Sequence, residues 1–380
     1  MNFNFIPPEL PAECAQLRAQ VRQFLDEALV DLAPLDRART WTGFDADFSR
    51  KLGARGWIGM VWPKRYGGHE RSALERYVVL EELLAAGAPV AAHWIADRQS
   101  GPLLLRFGTE QQRLKFLPAI ARGEHYFCIG LSEPGAGSDL AAVRTRATKA
   151  DGGWRVNGGK LWTTIANRAH TMIALVRTGV ASESRQAGLS QLLIDLSSPG
   201  VTVRPILDMV GERHFNEVFF EDVFVPDDML VGREGAGWSQ GTAELALERS
   251  GPERYLSSYR LLVELTAAAG VQPAPEVRLA LGNLVAELWT LRQMSLSIAG
   301  QLAAGKDPAL EAAIVKDLGA TFEQELPRAV QALLDESLAA RNAALSTVMS
   351  YLLQTSPSFS LRGGTREVLR GIVARGLGLR

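Results

Sequence analysis

From Pro11 to about residue 122 apolar residues recur every three or four positions, as in "CAQLRAQVRQFLDEAL" and "LERYVVLEELLAAG", the period of a helix that buries one face. Glycine and proline stretches such as "PKRYGGHE" punctuate these segments. Between about residues 126 and 226 the period shortens to two, or the run becomes β-branched, in "WRVNG", "KLWTTI", "TMIALVR", "QLLIDL", "VTVRPI" and "NEVFFEDVFV". These predict strands. Asn157-Gly158 predicts a hairpin, because both residues tolerate positive φ. After "VGREGAGW" the helical period returns near residues 239–269, 275–304 and 308–353, interrupted by "GVQPAP" and "TSPSFSLRGG". Strands segregated from helices give an α+β architecture. The expected domains are N-terminal helical (residues 1–124), central antiparallel β (residues 125–233) and a C-terminal four-helix bundle (residues 234–380).

Composition narrows the partners. The 380 residues are 47% hydrophobic and 22% charged with a net charge of -1, so no basic field invites nucleic acid or an anionic membrane surface. Only Cys14 and Cys128 are present, which excludes a disulfide framework. His69, His93, His125, His170 and His214 are scattered without ligand spacing, and no metal is expected. The N-terminal "MNFNFIPPELPAECAQ" has neither a basic nor an apolar leader region, and no run of about 18 uncharged apolar residues occurs, so a cytoplasmic location is expected.

Two segments carry candidate chemistry. In "LSEPGAGSDL", Leu131 to Leu140, Gly135 and Gly137 let backbone N–H groups converge on an anion, and Ser132 and Ser138 add hydroxyl donors. That pattern reads either as a phosphate cradle or as an ordinary Gly-rich loop; it is no dinucleotide fingerprint, since Leu140 stands where a third glycine is needed. In "NGGKLWTTIANRAH" Trp162 is placed to cover a planar ring, with Thr163 or Thr164 offering a hydrogen bond at its edge. A half-buried strand with a core tryptophan produces the same pattern.

Taken together, "RGWIGMVWPKRYGG", "FGTEQQRLKFLPAIARGE", "FCIGLSEPGAGSDLAAVRTRA", "GGWRVNGGKLWTTIANRA", "FNEVFFEDVFVPDDMLVGREGAGW" and "GGTREVLRGIVARGLGL" closely resemble the acyl-CoA dehydrogenase family in order and spacing, over nearly the whole chain. The resemblance implies FAD held between the domains with an acyl-CoA thioester beside it. It also implies proton loss from the α-carbon to a carboxylate, hydride loss from the β-carbon to the flavin, a trans-2-enoyl-CoA product, and electron-transferring flavoprotein as the usual acceptor. Carried over residue by residue, Leu131, Ser132, Gly137 and Ser138 match flavin or pyrophosphate positions, Trp162, Thr163 and Thr164 the flavin ring, and Thr365 and Glu367 the adenosine end.

Many family members carry the base as a glutamate before the glycine and threonine of the C-terminal motif, where this chain has Gly363. A subgroup resembling isovaleryl- and long-chain acyl-CoA dehydrogenases places it on a bundle helix before an arginine, which Glu248 before Arg249 matches; Glu244 is the reserve. On a helix Glu248 shares a face with Gly241, Glu244, Leu245, Gly251, Pro252 and Tyr255, so two glycines leave room against the carboxylate. Pro252 lacks the N–H that would bond the Glu248 carbonyl, which predicts a break there. Gly363 retains the N–H that, by the resemblance, polarises the thioester oxygen.

Two motifs that complete the FAD site from a neighbouring subunit are absent. "GVQPAPEV" stands in place of RxxFG, and "LSTVMSYLLQTSPSFSL" in place of QxxGGxG. A homodimer or homotetramer with altered contacts is expected. The alternatives are a heteromer with a paralogue, including one in which this chain is a flavin-poor or inactive subunit, and an oxidase of the same fold.

Overall fold

A computed structural model describes residues 3, 5–179, 184–247 and 251–379, with the backbone alone for residues 243–247. The chain packs into two units, each assembled from separated segments: Met1–Phe44, Arg71–Val90 and Arg249–Arg380 in one, Asp45–Glu70 and Ala91–Glu248 in the other.

The second unit holds the sheet. Its strands are β1 (Phe127–Gly130), β2 (Arg146–Ala150), β3 (Gly153–Thr164), β4 (Thr171–Arg177), β5 (Leu189–Asp195), β6 (Val201–Ile206) and β7 (Phe215–Pro226). They lie in the order β1-β4-β2-β3-β7-β6, with β5 also on β4. Four pairings, β2–β3, β3–β7, β4–β5 and β6–β7, are antiparallel; β4 meets β1, and β2 at one residue pair, in parallel. The uninterrupted apolar run of β4 is explained by its position, since six of its seven residues are buried.

The hairpin expected at Asn157-Gly158 is not there. Both residues lie inside β3, and the β2–β3 turn is Asp151-Gly152, where Gly152 has φ 72° and Ala150 pairs with Gly153. Gly158 serves a bulge instead. Its φ is 137°, a Cβ would stand 2.8 Å from the Thr145 Cα, and the pairing with β7 shifts between Val156 and Gly158. The Asn157 side chain accepts a bond from the Asp222 N–H at 2.9 Å.

Helices Ala46–Ala54, Ala91–Ile95, Gly101–Phe107, Glu110–Ala121 and Gly237–Leu247 belong to the same unit. Asp45 caps the first by accepting from the Phe48 N–H at 2.9 Å, and Thr109 with Gln112 forms a reciprocal cap on Glu110–Ala121. Buried His93 meets the Ser49 hydroxyl through Nδ1 at 2.8 Å.

The other unit is helical: Ala12–Ala28, Pro34–Arg39, Ala73–Ala85, Tyr259–Ala269, Pro275–Ala303, Ala309–Leu333, Glu336–Arg341, Ala343–Thr355 and Arg366–Gly376. Its apolar contacts include Tyr77 with Leu296 and Ala299, and Ile298 with Ala312 and Val315. Two adjacent buried carboxylates, Glu81 and Glu82, are neutralised from both sides. Arg292 binds Glu81 through two bonds of 2.7 and 3.1 Å, Arg18 reaches both acids, and Arg22 binds Glu82 at 2.7 Å. Removing any one of these arginines leaves buried negative charge without full compensation.

The helical pattern of residues 239–269 is interrupted. One helix is described as far as Leu247, Gly251 is extended (φ -90°, ψ 170°), Pro252–Arg254 forms a single 3-10 turn, and the next helix starts at Tyr259. Pro252 disfavours helical backbone at the preceding Gly251. Among the described residues no helix is long and apolar enough to cross a membrane, and no group of three or more metal-ligating side chains converges.

Burial pushes His93 down to about 4, against a weaker upward pull from Asp97. Between the unfolded value of about 6.5 and pH 4 the unfolded chain therefore binds a proton that the folded chain refuses, so stability falls as pH is lowered through that window, by on the order of 3 kcal/mol from this residue. Urea unfolding at pH 7 and pH 5 will show a smaller pH-dependent loss for His93→Asn than for the parent chain; an unchanged loss contradicts this account.

Candidate active site

The loop after β1 and the far end of β3 form one assembly. The Leu161 N–H donates to the Ser132 carbonyl at 2.9 Å, and Glu133 and Ala136 exchange two backbone bonds of 3.0 and 2.9 Å across a tight turn. Gly135 sits in this turn at φ 84°, and a Cβ on it or on Gly137 would meet no atom within 4 Å. One side of the loop is therefore open. Leu131 and Ser132 are half-buried and Ser138 is exposed.

On β3 the register with β7 passes from Lys160↔Val218 to Thr163↔Asn216, so Leu161 and Trp162 together face a single residue of β7. Trp162 takes φ 60°, a left-handed conformation that is an outlier for a bulky side chain and is held here by the bulge. The result is an indole 56% exposed, standing edge-on to Phe215 with ring centroids 6.0 Å apart. Thr164 is half-buried. Thr163 is buried, its carbonyl accepts from the Asn216 amide at 3.0 Å, and its hydroxyl has no partner among the described residues. The two threonines offered as alternatives by the sequence thus differ: Thr164 retains access to a ligand and Thr163 lies in the interior.

Beneath this surface Lys160 and Glu133 form a buried ion pair, Nζ to Oε1 2.7 Å. Burial lowers Lys160 to about 8 in spite of the carboxylate. Burial also acts to raise Glu133, but the Lys160 ammonium and the N–H groups around it outweigh that and hold its carboxyl below the ordinary range.

Beside the loop lies an open cleft of about 320 Å³ lined by Ala141, Ala142, Val143, Arg144, Arg177 and Arg185. The Arg177 guanidinium is spent on the carbonyls of Ala141, Val143 and Ala187 at 3.0 to 3.3 Å, while exposed Arg185 pairs with Asp139 of the loop at 2.6 Å. Arg144 is exposed at this cleft, which suits an anionic ligand there.

The C-terminal motif lies in the helical unit. Gly363 and Gly364 have φ 66° and 100°, backbone that residues with a side chain rarely adopt. The turn is pinned at three points on helix Ala309–Leu333: Lys316 donates to the Gly364 carbonyl at 2.7 Å, Arg366 pairs with Asp317 at 2.8 Å, and Arg362 with Glu323 at 3.2 Å. Arg362 also donates to the Ser257 hydroxyl at 2.7 Å and lies over the Trp41 ring at 4.0 Å. Burial raises Glu323 although Arg362 opposes it. Thr365 caps Arg366–Gly376, its hydroxyl accepting from the Val368 N–H at 3.5 Å, and Glu367 is exposed, with its carboxyl lowered by its own N–H and the Thr365 hydroxyl. Glu248 and Arg249 lie outside the described residues, as does the side chain of Glu244.

Three family profiles cover the chain in order: acyl-CoA dehydrogenase N-terminal domain over residues 11–124, middle domain over 128–223 and C-terminal domain over 236–378. The chain belongs to the acyl-CoA dehydrogenase family. It is 34% identical to acyl-CoA dehydrogenase IpdE1 of Mycobacterium tuberculosis, over 96% of this chain and 97% of that protein. It is 33% identical to acyl-CoA dehydrogenase FadE34 of the same organism over 86% of this chain, but that match spans only 45% of the longer FadE34. The solved Tcur3481-Tcur3483 steroid ACAD superposes with a TM-score of 0.87 at 29% identity, covering 98% of this chain and 99% of that one. Acyl-CoA dehydrogenases are FAD-dependent oxidoreductases acting on the CH–CH group of acyl-CoA thioesters.

The surface built by the loop and the bulge fits a flavin in its chemistry. It offers an exposed indole, an open Gly-rich turn, and hydroxyls on Ser132, Ser138 and Thr164 that make no hydrogen bond to described residues. Sequence reasoning missed Glu133, Lys160, Lys316, Glu323 and Arg362. For Lys160 a signal existed: a lysine at an inward position of a strand whose other inward residues include Trp154 and Val156.

Because Trp162 is strained and mostly exposed, Trp162→Asn, which tolerates left-handed backbone, will leave unfolding stability within about 1 kcal/mol of the parent or raise it. Equilibrium urea unfolding of the flavin-free chain checks this. A loss above about 2 kcal/mol would mean that the indole is structural.

Proposed function

We propose that this chain is an FAD-holding acyl-CoA dehydrogenase that uses Glu248 as its base and acts on acyl-CoA thioesters with bulky, ring-bearing acyl groups. The observation that carries the reading is the bulge on β3, which holds a strained, exposed Trp162 beside half-buried Thr164 and an open Gly-rich loop. Backbone strain of this kind clusters at ligand sites, which is what supports the reading.

In this reading Trp162 covers one face of the flavin ring, Thr164 reaches its edge, and Leu131, Ser132, Gly137 and Ser138 line the flavin and its pyrophosphate. Thr365 and Glu367 serve the adenosine end. When bound, the flavin supplies the acceptor for the hydride that leaves the β-carbon. Glu248 removes the α-proton. The Gly363 N–H donates to the thioester oxygen as negative charge develops there. Left-handed backbone at Gly363 supports a role that needs no side chain. In this reading Arg144 and Arg185, which line the open cleft, meet phosphate groups of the thioester's nucleotide end.

The ring-bearing acyl group is supported by the likeness to a steroid ACAD. Electron-transferring flavoprotein is the acceptor we favour. A second chain completes the adenine end of the site; a second copy would lack RxxFG and QxxGGxG as this one does, so the paired designation of Tcur3481-Tcur3483 and the half-length match to FadE34 favour a paralogue.

Purified protein, with its partner where one is required, will be yellow and will bleach on anaerobic addition of a steroid side-chain acyl-CoA. Glu248→Gln will retain the flavin and slow bleaching by at least about a thousandfold, whereas Glu244→Gln will bleach at near the parent rate. Bleaching by Glu248→Gln at the parent rate would remove Glu248 from the mechanism.

A further inference from the structure

The Lys160 ammonium is fully buried on its strand, and it meets the residues assigned above to the flavin through the Leu131 carbonyl. Its three N–H groups have three acceptors: Glu133 Oε1 at 2.7 Å, the Leu175 carbonyl at 2.5 Å and the Leu131 carbonyl at 3.3 Å. These belong to the Gly-rich loop, to β4 and to the residue where the loop leaves β1. Glu133 continues the network, accepting from the N–H groups of Arg144 at 2.7 Å and Thr145 at 3.0 Å, where the loop ends. Thr145 then donates its hydroxyl to the Gly159 carbonyl at 3.1 Å, returning to the residue before Lys160. One ammonium therefore ties the start, the middle and, through Glu133, the end of the loop to the strand position directly before the bulge.

Space for this arrangement is built in. A Cβ on Gly130 would stand 3.0 Å from the Lys160 Cγ and 2.5 Å from the Met172 sulfur, so the glycine leaves a channel for the lysine stem. A methionine or leucine at residue 160 would fill the same volume without burying charge, and replacing buried ion pairs by apolar groups is often neutral for stability. The network thus does something that an apolar core would not: it fixes carbonyl directions on both sides of the Leu161–Ser132 bond.

We infer that Lys160, with Glu133, is a positioning residue that sets the spacing between the Gly-rich loop and the β3 bulge, and thereby the affinity for the flavin. This rests on the flavin reading proposed above. Removing the ammonium frees the carbonyls of Leu131 and Leu175 and loosens the Leu161 N–H to Ser132 bond, so loop and bulge no longer hold one separation.

The test separates positioning from charge burial. Lys160→Met leaves Glu133 buried and unpaired, whereas Lys160→Met combined with Glu133→Gln removes both charges. Thermal unfolding should show the single variant destabilised and the double variant recovered toward the parent. Titration of flavin-free protein with FAD should show both variants binding at least about tenfold more weakly, the scale of one lost hydrogen bond to a charged group. Recovery of FAD affinity in parallel with stability in the double variant overturns the inference, as does parent-like affinity in the single one. Amide exchange gives a readout independent of the cofactor: in flavin-free double variant, the Leu161 amide should exchange at least about tenfold faster than in the parent while amides of the β4–β5 pair stay unchanged. Should the parent bind no FAD even with the partner that completes the site, the flavin reading fails, and the exchange rates alone decide the positioning role: unchanged Leu161 exchange refutes it.

Discussion

Two residues of β3 share a single residue of β7, and the surface proposed as the flavin site depends on that mismatch. Without the extra residue, strict alternation along β3 from buried Lys160 would turn Trp162 inward. With it, the backbone passes through a left-handed turn, the indole faces outward, and Thr163 and Thr164 separate into an interior and an accessible hydroxyl. The strain at Trp162 persists because both flanks are fixed, by Lys160↔Val218 on one side and Thr163↔Asn216 on the other. The Lys160 ammonium fixes the first flank a second time, from below.

The same logic recurs in the helical unit with different residues. The Gly363-Gly364 turn has backbone torsions that few residues adopt, and charged groups on one helix hold it there through Lys316, Asp317 and Glu323. Buried charges are a weak source of net stability but a strong source of direction, since each has few arrangements that satisfy all its hydrogen bonds. Each unit thus places a flexible-looking glycine motif on a rigid, ionic support. In the proposed function Gly363 contributes only its N–H, and proton abstraction falls to Glu248 elsewhere in the chain.

The alternation of apolar and polar positions made the strands legible, and the 3.6-residue period made the helices so, because each pattern follows from burial of one face. Asn157-Gly158 misled for a physical reason: the permissive φ that suits a hairpin also suits a bulge, and the pairing of β3 with β2 and β7 makes it a bulge. The interruption before Pro252 was readable because a missing N–H acts locally. Left-handed Trp162 was not, since nothing in its own chemistry favours that conformation. Pairs such as Arg362 with Glu323, or Lys160 with Glu133, join residues distant in sequence, and only packing brings them together.

The central claim is that the outward indole of the bulge lies against the flavin, and tryptophan fluorescence tests it most directly. FAD is titrated into flavin-free parent protein and into Trp162→Phe, which retains an aromatic surface. The account predicts that a distinct part of the quenching seen in the parent is missing from the variant. Equal quenching in the two proteins would place the flavin away from the bulge and contradict the account.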